Sequence, residues 1–187
     1  MKKKLRNSIV SFLMVACVGT QLCNFNASAG VYLSYGYPKS TSSTITQIPY
    51  LPYSASGTWN TGVSKGISNW NANVGTTHVR FYESSQCANK ILVQNSSDTW
   101  YGSTGVSRSG SSISTYTIII NKRRVSEDAV NLTNFIQSVM CHEMGHCIYL
   151  DDNPSSSVSS IMNYSRNRDM MTSPTTYDVR NVASKYN

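Results

Sequence analysis

Three residues at fixed spacing carry the most chemistry in this sequence: His142, Glu143 and His146. On a helix the two histidines lie one turn apart on one face, so both imidazoles can reach one metal ion. Glu143 projects beside the same point, where it can accept a proton from a metal-bound water. The ion suited to this set is zinc, which lowers the pKa of its water and polarises a carbonyl. A purely structural zinc would need neither Glu143 nor an open coordination position. Catalytic zinc usually takes three protein ligands, and spacing alone leaves the third open. No His and no Glu follows His146, which excludes a downstream Glu ligand. The candidates are Asp151, Asp152, Asp169, Asp178, a tyrosine or the distant His78. His78 falls on an expected strand and reads as a solvent-facing residue.

These residues need a helix and a scaffold behind it. Asn134 and Gln137 have the spacing of a capping box, and a helix is expected from there to about Leu150. Trp59, Val63, Ile67, Trp70 and Val74 recur every three or four residues, which predicts a core-facing helix over 58–74, weakened by Gly62 and Gly66. Alternation predicts a half-buried strand over 77–83, with further strands at 91–94 and 114–121 and one more within 31–53. Residues 98–112 are rich in Gly and Ser and read as loop or irregular edge. Lys122-Arg123-Arg124 reads as a solvated strand end. A last helix opens near Ser173-Pro174-Thr175 and runs through Val179, Val182 and Tyr186. Strands with a few helices, and the site helix late in the chain, point to an α+β or mixed-sheet domain.

A basic start at Lys2, Lys3, Lys4 and Arg6, a short apolar run from Ile9 to Val18 and Ala27-Ser28-Ala29 predict a secretory leader over residues 1–29. Residues 30–187 are then expected to form one exported, extracellular domain with no stable membrane anchor. The full chain carries 16 basic and 9 acidic residues, and four basic ones leave with the leader. The remaining charge is mild, so no nucleic-acid partner is expected. Cys87, Cys141 and Cys147 stay, an odd number, so this is not a disulfide scaffold. Cys141 and Cys147 are about 9 Å apart along one helix, too far to bridge each other. Cys87 is either the partner of one of them or, like them, a packed free thiol.

The pattern His142-Glu143-x-x-His146, then Asp152 six residues on, then Ser160-Ile161-Met162-Asn163-Tyr164, resembles the metzincin zinc peptidases. The Asp variant is similar to that of snapalysin-type secreted bacterial enzymes, and the likeness extends over residues 58–186. It implies a single α+β metzincin-like catalytic domain with a twisted mixed β-sheet, a long active-site helix, a Met-turn at Met162 beneath the metal and a C-terminal helix. It also implies one catalytic Zn2+ on His142, His146 and Asp152, with Glu143 as general base and Tyr164 stabilising the oxyanion. The implied function is a secreted, monomeric metalloendopeptidase acting on a polypeptide, held along a sheet-edge strand at residues 112–120. One departure concerns Tyr149, where the family has a Gly. A positive φ there would cost a residue with a Cβ about 1 kcal/mol, and a rerouted turn would bring in Asp151 instead of Asp152. The family's latency segment with a metal-blocking Cys is also not seen. Two other functions fit the same motif: a secreted non-catalytic binding protein with a structural zinc, and a zinc amidase on a non-protein amide.

Overall fold

The computed structural model describes residues 30–155 and 157–187. The leader expected over residues 1–29, with Cys17 and Cys23, lies outside the described residues. The elements run β1 (Thr46–Tyr50), α1 (Gly57–Val74), β2 (Val79–Glu83), β3 (Lys90–Gln94), β4 (Gly102–Ser109), β5 (Ser112–Asn121), α2 (Lys122–Asp128), α3 (Leu132–Cys147) and α4 (Thr176–Tyr186). No helix among the described residues is long and apolar enough to cross a membrane.

The core forms between α1 and α3. Val63, Ile67, Trp70 and Val74 are buried along one stripe of α1, as their spacing predicts. Gly62 and Gly66 lie on the same face, where a Cβ would sit 2.6 Å from Cβ of Ile136 and 2.7 Å from Cβ of Met140. The two glycines therefore set how closely the helices approach. Trp70 adds a buried hydrogen bond from its indole N–H to the Cys141 carbonyl, 2.7 Å.

Among the described residues the strands form two small sheets, which corrects the expectation of one twisted mixed sheet. β1 and β2 pair in parallel, and a separate three-stranded sheet runs β3-β5-β4. Pro49 in β1 has no N–H to extend a ladder. Asn89 bridges the gap with its side chain instead, donating to the Pro49 carbonyl (2.7 Å) and accepting from the Tyr116 N–H (3.1 Å). In the larger sheet β3 is parallel to β5, and β4 is antiparallel to it with an irregularity at Ser107/Arg108. Residues 98–112 are thus not all loop, because β4 pairs along β5 through backbone groups and the chain reverses at Gly110, φ 58°. β5 is central, so residues 112–120 are not the edge expected of them. The open edge beside α3 is β4.

Three smaller expectations also change. Lys122-Arg123-Arg124 opens α2, where Arg123 and Arg124 pair with Glu127 and Arg124 with Asp128. Helix α3 starts at Leu132 with the Asn131 side chain accepting from the Asn134 N–H (3.1 Å), and it ends at Cys147 rather than near Leu150. Cys87, Cys141 and Cys147 are all free thiols, the last two buried.

Candidate metal centre

Helix α3 delivers His142, Glu143 and His146 to the floor of a cleft of about 400 Å³. His142 and Glu143 are 7 % and 5 % exposed. Past Cys147 the chain turns sharply, with Tyr149 at φ 72°. The Ile148 and Leu150 N–H groups both bond to the Gly145 carbonyl (3.0 and 3.1 Å), closing the helix as a Schellman-type cap normally built on glycine. The Tyr149 ring offsets the strain. It covers Gly36, which leaves no room for a Cβ, and meets Tyr186 edge-on at 5.8 Å. The turn thus keeps its register, and Asp152 arrives at the histidines. Its Oδ1 lies 3.1 Å from His142 Nε2 and 3.9 Å from His146 Nε2.

A backbone carbonyl faces Nδ1 of each histidine. His142 Nδ1 lies 3.1 Å from the Ile161 carbonyl, and His146 Nδ1 2.9 Å from the Leu150 carbonyl. A carbonyl only accepts, so the tautomer protonated at Nδ1 bonds to it and offers Nε2 as a metal donor, whereas a proton on His142 Nε2 donates to Asp152. Burial pulls His142 below the usual imidazole range, which favours the neutral ligand form. The hydrogen bond with His142 holds the Asp152 carboxyl below its usual range, favouring the anion. His142, His146 and Asp152 place one ligand atom each within 4.8 Å of one another. Tetrahedral zinc at 2.0–2.2 Å from its donors separates them by about 3.3–3.5 Å. The donor set and spacing therefore fit zinc after small side-chain adjustments.

Supports reach the site from elsewhere in the chain. Met162 is buried and packs its sulfur over Gly145, where a side chain would collide with it. Asp178 at the start of α4 accepts from the Ile161 N–H (2.8 Å) and from the Ser160 hydroxyl, holding the segment whose carbonyl orients His142. Thr104 on β4 donates to Glu143 Oε2 (2.8 Å), and Gly102 leaves space for that carboxylate. Arg166, 8 % exposed, donates to the Ser138 hydroxyl and carbonyl and to the Asn163 carbonyl, and its Nη1 stands 3.2 Å from His142 Nδ1. Burial pulls its guanidinium down to about 10, still charged at neutral pH.

Sequence reasoning missed Thr104, Arg166 and Arg168, because nothing in local spacing marks them. Tyr164 lines the cleft but is 66 % exposed. Asp151 also lines the cleft, while its carboxylate accepts from the Asp152 N–H (2.8 Å). The other candidates are placed apart. Asp169 accepts from the Asn131 N–H, Asp178 caps α4, and His78 lies in a different hollow beside Thr77 and Tyr186. Chemically, a dication on the three donors would polarise an oxygen donor entering from the cleft, with the Glu143 carboxylate beside it.

No family model matches the chain, and no curated protein matches it. A solved structure described as the GM1-bound form of the ECX AB5 holotoxin matches with 16 % identity and a TM-score of 0.51, over 84 % of this chain and 86 % of that one. At that identity the likeness speaks to fold. These findings correct the expectations drawn from the metzincin resemblance. The chain is a small α+β fold similar to a chain of an AB5 holotoxin, and it is not identified as a metzincin catalytic domain. The metalloendopeptidase assignment falls with that identification, because the similar structure is described as an AB5 holotoxin in a GM1-bound form. The polypeptide substrate and the monomeric state fall too, because the similar structure is an assembly in a GM1-bound form.

Proposed function

We propose that this chain is an exported metal-binding protein. Its cleft holds one zinc-class ion on His142 Nε2, His146 Nε2 and an Asp152 oxygen, and presents it to a ligand. The observation that supports this most is that a backbone carbonyl lies within hydrogen-bond reach of each Nδ1, while both Nε2 atoms face one point beside a carboxylate. Three protein donors leave a coordination position for an entering group, and the cleft above gives that group access. This favours a ligand-binding metal over a buried structural staple. Export rests on the leader read at residues 1–29. GM1 binding and holotoxin assembly belong to the similar structure and carry no residue of this chain with them.

Elemental analysis of residues 30–187, prepared with zinc and desalted, is expected to give one zinc per chain. His142→Ala and His146→Ala should each abolish it. A folded parent chain without zinc would overturn the reading.

A further inference from the structure

Among the described residues five charged groups line the cleft: the carboxylates of Glu143, Asp151 and Asp152 and the guanidiniums of Arg166 and Arg168. Their formal balance is −1, and a bound dication turns it to +1. Neither arginine is ion-paired among the described residues. The two are used differently. Arg166 is buried, and all three of its nitrogens are taken up by Ser138 and Asn163. Arg168 is only partly buried, and its guanidinium makes a single hydrogen bond among the described residues, from Nη2 to the Tyr164 carbonyl (3.0 Å). Aromatic rings hold it in place: its central carbon lies 4.6 Å from the Tyr101 ring and 5.6 Å from that of Tyr164. Cation–π contact fixes the plane of the guanidinium without occupying its in-plane donors.

We propose that Arg168 is the carboxylate-binding group of this cleft, so that the ligand carries a carboxylate on a carbon stem and a second oxygen donor for the metal. The proposal rests on the metal reading above. A planar fork between flat apolar walls suits a planar carboxylate better than a tetrahedral, strongly hydrated phosphate. Trp100 and Tyr101 supply a wall for the stem. The charge reversal adds a coupling, because the zinc-loaded cleft attracts an anion that the zinc-free cleft repels, and the effect is reciprocal.

The test uses glutarate as probe and the fluorescence of Trp100, with Trp100→Phe assigning the signal. Zinc content and circular dichroism are measured first for each variant. Zinc-loaded parent chain is expected to bind glutarate, and the zinc-free chain to bind it more weakly. Arg168→Gln should keep its zinc and lose roughly 10- to 100-fold in glutarate affinity, the worth of hydrogen bonds to a charged group. Arg168→Lys, which keeps the charge without the fork, should fall between. Undiminished binding in a folded Arg168→Gln chain, or tighter binding of inorganic phosphate than of glutarate, would overturn the proposal. A zinc-loaded chain that ignores glutarate would overturn the carboxylate subsite alone. A parent chain that takes no zinc would overturn the metal reading and this proposal together.

Discussion

Replacing Asp178 with alanine should weaken both the fold and the metal site, although the residue does not touch the histidines. Its carboxylate is 1 % exposed and accepts from four donors: the Ser160 hydroxyl, the Ile161 N–H, the Thr175 N–H (2.7 Å) and the Thr175 hydroxyl (2.8 Å). One of these bonds, from the Thr175 N–H, belongs to the capping box of α4, worth about 1 kcal/mol. Those from the Ser160 hydroxyl and the Ile161 N–H are buried hydrogen bonds to a charged acceptor, about 1.5–3 kcal/mol each, and Asp178→Ala removes their acceptor. Because the donors share one carboxylate the terms do not add fully, and a loss of about 3–5 kcal/mol is expected by urea denaturation. Asp178→Asn keeps one acceptor oxygen and should lose about 1–2 kcal/mol. The site should respond as well. Once the Ile161 N–H is released, the Ile161 carbonyl no longer fixes the His142 ring, and support of that kind is typically worth about 10- to 100-fold in metal affinity. Zinc competition with a chromophoric chelator, on protein shown to be folded, reads this directly. If Asp178→Asn remained folded with unchanged zinc affinity, and Asp178→Ala cost under about 1 kcal/mol, the chain of support from α4 to His142 would be wrong.

Four further outcomes are expected. Asp152→Ala should lose zinc affinity by at least about 100-fold, in keeping with removal of a direct ligand, and Asp151→Ala should change it little; the reverse order would move the third ligand to Asp151. Gly145→Ala should destabilise by about 1–3 kcal/mol through collision with Met162, and Gly145→Ala combined with Met162→Ala should recover part of that loss in thermal melts. A thiol reagent should label Cys87 in the native chain and reach Cys141 and Cys147 only after denaturation, since both are buried and burial raises both thiols well above their ordinary range. Zinc-loaded protein assayed on an unfolded polypeptide, with and without chelator, tests the correction to the peptidase assignment, because chelator-sensitive cleavage would reverse it.

The parts of this molecule legible in its sequence are those written in short-range spacing. The i, i+4 histidines define a helix face, and the Trp59–Val74 stripe defines another, because side-chain direction repeats with the backbone. What stays hidden depends on a partner far away in the chain. Gly62 and Gly66 read locally as helix weaknesses, yet against Ile136 and Met140 they allow a close approach of α1 to α3. The β4 sequence Gly-Ser-Thr-Gly-Val-Ser-Arg-Ser has little strand propensity, and it is a strand because β5 supplies the ladder. That pairing carries Thr104 to Glu143, 39 residues away, a contact no window of sequence contains. Tyr149 combines both cases. The sequence flags it as the wrong residue for a left-handed turn, and the structure keeps the turn because Gly36 and Tyr186 give the ring a place to pack. Tyr149→Gly would remove about 1 kcal/mol of backbone strain. It would also remove an aromatic pair worth about 0.5–1.5 kcal/mol beyond its buried area. Burial adds to the second effect, so net destabilisation is expected. The sign of that change decides whether the turn that delivers Asp152 is held by its backbone or by the ring packed upon it.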